Sequence, residues 1–186
     1  MDQLLHIIEG CYKHDRQSQR SLYDRYYGVF LRVVFRYIDS YEESVRLTDA
    51  AFLVVFRNFS YFSLTDESKV GFYLTEWIKK IMIAAIIWHI KPKINLYEHD
   101  RLPNPYRKDL HPSLPETPAL YAELIATIRE LPAGFRAVFN LHVIERYPLA
   151  EIAEMLGISE QTTIFYYQAA RQYCIGPLLA DRHIEK

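Results

Sequence analysis

The sequence predicts an all-α protein, with two small helical domains at 1–90 and 119–186 joined by an extended proline-rich linker at 91–118. Three observations carry that reading. Through residues 2–90 apolar side chains recur at i, i+3 and i+4, with no alternating strand pattern and no internal repeat. Six of the nine prolines (Pro92, Pro103, Pro105, Pro112, Pro115 and Pro118) crowd into 91–118. Proline removes a donor and disfavours helix in the residue before it, so that stretch is extended, and a structureless run of this length separates domains. Finally, residues 131–171 read as three helices with a tight turn before the last.

Taken in order, residues 21–38 place Leu22, Tyr26, Val29, Phe30, Val33, Val34 and Tyr37 on one helical face and Arg25, Arg32 and Arg36 on another. Asp39 and Ser40 break this helix; residues 41–59 form the next and 67–90 a third, so that 1–90 is a small bundle whose aromatics are mostly core. The most apolar run, 81–90, is bracketed by Lys80 and Lys91. A membrane span needs roughly 20 apolar residues, so this run is a buried helix. The start, MDQLLHIIEG, lacks a signal-peptide pattern, and two cysteines, Cys11 and Cys174, make no disulfide framework. A cytoplasmic protein without membrane insertion is expected.

In the last part Pro132 suits a helix start, where its missing N–H is no loss. Phe135, Val138, Phe139 and His142 follow at helical spacing. A short helix at 149–156 turns Leu149, Ile152, Ala153 and Leu156 inward; Gly157 ends it with a positive φ, and Ser159 caps the next helix. That helix runs to about residue 173, with Thr163, Tyr167, Ala170 and Cys174 facing in. This is the helix-turn-helix plan. The same pattern also occurs in all-α cores with no nucleic-acid role, and the spacing alone leaves both open.

Charge and chemistry narrow the function. The net charge is −1; residues 1–90 hold eleven Lys/Arg against eleven Asp/Glu, and 121–186 hold six against eight. A domain that binds DNA unaided usually shows a basic face, because phosphate neutralisation supplies most non-specific affinity. There is no glycine-rich phosphate loop, no H-E-x-x-H and no paired-cysteine motif. The seven histidines, at 6, 14, 89, 99, 111, 142 and 183, lack metal-ligand spacing. Neither an enzyme nor a metal or cofactor is expected.

The run EIAEMLGIS followed by Thr162 and an Ala-Ala-Arg ending, within LPAGFRAVFNL…EIAEMLGIS…AAR, resembles region 4 of bacterial sigma-70 factors. The first half resembles region 2 of the extracytoplasmic-function (ECF) subfamily. LYDRYY at 22–27 matches near its start, FLVVFRN at 52–58 the end of its polymerase-docking helix, and 72–90 the segment built around a tryptophan, here Trp77. The resemblance implies a divergent sigma factor that binds core RNA polymerase (β and β′ subunits) and promoter DNA. It implies polymerase binding by Arg46, Asp49, Phe52, Phe56 and Arg57. It implies −10 DNA contact by Trp77, Lys79, Lys80, Trp88, His89 and Lys91. It implies −35 DNA or partner contact by Ser159, Gln161, Thr162, Ile164, Phe165, Tyr166, Gln168, Arg171 and Gln172. The linker, in this family, threads the polymerase active-site cleft.

The chain departs from that family in three places. Arg46 and Asp49 stand where the docking helix usually has Asp and Gln. In the −10 segment the usual Arg-Asn pair is Ile83-Ala84 and the usual Asp is Trp88; Trp88 can stack on a base, though a Trp in so apolar a run is more often core. The last helix carries Ile164, Phe165 and Tyr166 where DNA readers are polar. Two explanations compete. Either the helix has rotated and packs these residues inside, or promoter addressing is delegated to a partner such as an activator or an RNA-guided DNA-binding protein. An anti-sigma factor is a further candidate partner. The alternatives to an initiating sigma factor are a sigma-like adaptor that no longer initiates and a simple repressor; the linker and the double match argue against the repressor.

Overall fold

The computed structural model describes residues 2–64, 66–94 and 118–180. Among them every regular element is helical, as the fold class requires: α1 Asp2–Tyr12, α2 Arg16–Phe35, α3 Tyr41–Arg57, α4 Val70–Ile90, α5 Pro118–Glu130, α6 Ala133–Phe139, α7 Leu149–Leu156 and α8 Glu160–Ala180. Short 3-10 turns occupy Phe59–Tyr61, Glu67–Lys69 and Lys91–Lys93. The chain falls into two compact units, Met1–Trp88 and His89–Lys186.

In the first unit α2 begins earlier than its apolar stripe. His14 takes a left-handed φ of 57° and reverses the chain. Asp15 then caps α2, accepting from the Ser18 N–H at 2.7 Å. The Ser18 hydrogen bonds hold the Asp15 carboxyl below its ordinary pKa. Leu22, Tyr26, Phe30, Val33, Val34 and Tyr37 are buried, but Val29, at the edge of that arc, is exposed. Ser40 caps α3 through the Glu43 N–H. The helix ends at Arg57 rather than 59, because Asn58 turns its amide back to the Val54 carbonyl at 3.0 Å and the chain tightens into a 3-10 turn. Phe30, Phe52, Phe59, Leu74, Ile78, Met82 and Ile86 fill the core. The apolar run in α4 is buried through Met82, Ile83, Ile86, Ile87 and Ile90. No described helix is long and apolar enough to cross a membrane.

The proline-rich segment lies outside the described residues from 95 to 117. At its edges Lys91–Lys93 forms a 3-10 turn instead of extended chain, and Pro118 opens α5, where a missing N–H costs nothing.

In the second unit Leu124, Ile128, Phe135, Val138, Phe139, Leu141, Ile152, Leu156, Tyr166 and Ala170 form the core. The expected helix after Pro132 does not run on unchanged to His142. After Phe139 it widens into a π-helical turn, Asn140–Ile144, where the Asn140 amide donates to the Arg136 carbonyl at 3.0 Å. His142 thereby reaches the Tyr147 carbonyl through Nδ1 at 2.9 Å and meets Tyr167 edge-on. It is a satisfied, half-buried histidine.

Burial pushes the Cys11 thiol up to about 11 and the Cys174 thiol up to about 12. The thiolate is the nucleophile, so both cysteines are inert while folded. Ellman's reagent at mildly alkaline pH is expected to report no fast-reacting thiol in the native chain and two after guanidinium unfolding. A rapid native reaction at either site contradicts this packing.

Candidate nucleic-acid interface

The second unit builds a helix-turn-helix from local signals. α7 stops at Gly157, whose φ of 69° no other residue type adopts as cheaply; its N–H bonds the Ala153 carbonyl at 2.9 Å and that of Ile158 reaches the same carbonyl at 3.1 Å. Two residues later Ser159 accepts from the Thr162 N–H at 3.1 Å, while its hydroxyl and that of Thr162 share a hydrogen bond of 2.8 Å. The buried Thr163 hydroxyl donates to the Ser159 carbonyl at 3.0 Å. These bonds fix the start of α8 on one turn of chain, and α8 presents a free outer face. Residues 121–174 match the family model for sigma-70, region 4. No curated protein matches the chain. The second unit therefore carries a region 4 helical domain, and its surface can be read as one.

The phase of the region 4 recognition helix differs from the expected one. Tyr166, not Tyr167, points inward: it is fully buried, its ring 4.1 Å from that of Phe135. Gly134 makes the room, since a Cβ there would lie 2.7 Å from the Tyr166 ring. Tyr166 is thus a core residue and cannot touch DNA or a partner. Phe165 is half-buried, edge-on to Phe135 at 6.1 Å. Of the apolar trio Ile164 alone is exposed, at 37%. The expected apolar patch shrinks to a single side chain, because the inward arc runs Thr163, Tyr166, Ala169, Ala170 and Cys174. Gln161 and Gln168 are exposed beside Ile164; Arg171 and Gln172 are half-buried.

In the first unit α3 holds the residues expected to meet polymerase. Arg46, Asp49 and Arg57 are exposed and Phe56 is half-buried. Phe52 is 1% exposed, packed between Tyr23, Phe30 and Phe56, so it supports the helix from beneath and makes no outside contact. The Asp49 carboxylate accepts from the Tyr23 hydroxyl at 2.7 Å, and burial together with that bond raises the Tyr23 phenol well above its ordinary value. The exposed face of α3 also carries Ala50, Leu53 and Val54, which were not among the expected contacts. All three are exposed, Leu53 by 57%, and Arg46, Ala50, Leu53 and Arg57 recur at i, i+4, i+7 and i+11. The signal was there: the inward set Ser44, Thr48, Ala51, Phe52 and Val55 leaves these positions on the outer face.

Along α4, Trp77 is half-buried against Phe59 and Phe62, at ring distances of 5.6 and 5.4 Å. Lys79 pairs with Glu76 at 3.0 Å and Lys80 is exposed. Ile83 is buried and Ala84 exposed. Trp88 corrects the expectation that it is core, for it is 85% exposed. Phe72, 63% exposed, was not foreseen; it lies about 160° around α4 from Trp88, so the two rings do not share a face. His89 and Lys91 fall in the second unit, His89 with its Nε2 2.7 Å from the Lys93 ammonium and Lys91 exposed. Among the described residues no cluster of His, Cys, Asp or Glu could hold a metal ion.

Proposed function

We propose that this chain is a sigma-type transcription initiation factor of the ECF kind, working in the cytoplasm on core RNA polymerase and promoter DNA. The observation that carries the proposal is the region 4 match over 121–174, which falls on the helix-turn-helix just described. In this reading residues 1–90 dock on polymerase through the outer face of α3 and open the −10 DNA with α4. The segment 91–118 spans the polymerase cleft, and 119–186 anchors upstream DNA or a protein standing in for it. Promoter addressing is delegated in part to a partner, an activator or an RNA-guided DNA-binding protein. The reading is favoured by a recognition helix whose exposed face offers amides and one isoleucine but no lysine. Retention of purified core polymerase by the tagged full chain tests it, and no retention at moderate salt would leave only the adaptor reading.

The exposed Trp88 supports a stacking role in strand opening. Base–aromatic stacking is worth about 1–3 kcal/mol per base, so Trp88→Ala should cut transcription from duplex templates by about tenfold or more. A template with a pre-melted −10 bubble should recover most of that loss. Equal activity of the variant on duplex templates would remove Trp88 from the opening step.

A further inference from the structure

Between 145 and 174 the region 4 unit holds four carboxylates (Glu145, Glu151, Glu154 and Glu160) and two arginines, Arg146 and Arg171. Glu151 and Glu154 are exposed on α7 and Glu160 at the first position of α8, while Glu145 is half-buried; of the two arginines Arg146, before α7, is exposed and Arg171 is half-buried. Within the same unit Lys91 brings a cation to the turn, its chain end beside Gly157. Counting it, the turn and both helices remain net negative.

Duplex DNA carries one negative charge per ~1.7 Å of axis, and proteins hold it by neutralising phosphates with Lys and Arg. A recognition helix enters the groove by its N-terminal residues. Here those residues are Glu160 and Gln161, preceded across the turn by Glu154. The helix entrance thus sets carboxylates where a DNA reader sets Lys or Arg against the phosphates. α8 also exposes an apolar Ile164 between the amides of Gln161 and Gln168, in the same unit as the exposed Glu151, Glu154 and Glu160.

We infer that the outward face of α7 and the first half of α8 docks onto a basic protein surface, one that sets Lys and Arg around a small apolar socket for Ile164. This rests on the region 4 reading and names the chemistry of the partner that supplies the promoter address. Complementary charge steers such an encounter and fixes its register.

The test places the photo-crosslinker p-benzoylphenylalanine at Gln168 of the full chain in its native cells. The expected product is a protein adduct on a Lys/Arg-rich peptide. Its yield should fall by about tenfold or more when Glu151, Glu154 and Glu160 are all changed to Lys. All three are exposed, and the milder change to Gln should lower the yield less. A crosslink to DNA, a protein adduct indifferent to both variants, or no adduct would overturn the inference. In parallel, a duplex DNA probe at low salt should shift more readily with the triple-Lys variant than with the native chain; equal shifts would also overturn it. Polymerase retention by the same tagged chains judges the sigma reading separately, since these substitutions leave α3 untouched.

Discussion

Replacing Tyr166 with Ala is expected to unfold the C-terminal unit. Its ring is wholly buried, stacked close on Phe135 in a slot that only Gly134 leaves open. Truncating a large buried aromatic costs about 3–5 kcal/mol, because the transfer free energy is lost and the cavity collapses only partly. Small domains have about 5–15 kcal/mol in all, and a unit of this size sits toward the low end. Hydrogen exchange of peptides from 133–174 separates this unit from the first, and in the variant their protection should be largely lost. Ile164→Ser, one turn-face away and exposed, should change stability by no more than about 0.5 kcal/mol. Equal protection in Tyr166→Ala and native chain would place the ring outside and restore it to the contact surface.

The second large effect is expected on the outer face of α3. Leu53→Asp combined with Arg57→Glu should reduce core polymerase binding by about 30-fold or more, the range of a central interface residue worth 2 kcal/mol or above. Both side chains are exposed, so the helix and its core should be unaffected, and circular dichroism of the variant should match the native chain. Phe52→Ala would not discriminate, since Phe52 lies beneath the helix and its loss would damage the fold itself. Unchanged polymerase binding in the double variant would move the docking site off α3.

Much of this was legible in the residues. Gly157, Ser159 and the apolar positions of α7 announce the turn, because only a φ > 0 residue followed by a hydroxyl cap satisfies both helix ends there. The long helices of the first unit follow from the spacing of Leu22, Tyr26 and Phe30, and from the break at Asp39 and Ser40. What escaped was phase and local backbone. Thr163-Ile164-Phe165-Tyr166-Tyr167 is nearly apolar throughout, so either tyrosine could have filled the core, and Gly134, far off in sequence, decided for Tyr166. The π-helical turn after Phe139 has no sequence signal that periodicity registers. Trp88 and Phe72 read as core by residue type, yet α4 already buries Leu74, Ile78, Met82 and Ile86 on its inner side and leaves them outside. The two misreadings work in opposite directions: the recognition helix offers less apolar surface than expected, and the first unit more.

The central claim is that this chain initiates transcription on core polymerase. The most direct measurement is a reconstituted assay with purified core polymerase from the same cells and a pool of native genomic promoter fragments, with and without proteins encoded beside this chain. Start-site-specific transcripts that depend on the chain are predicted, most of them only when a neighbouring protein supplies the address. Polymerase that yields no chain-dependent transcript under any of these conditions would contradict the account.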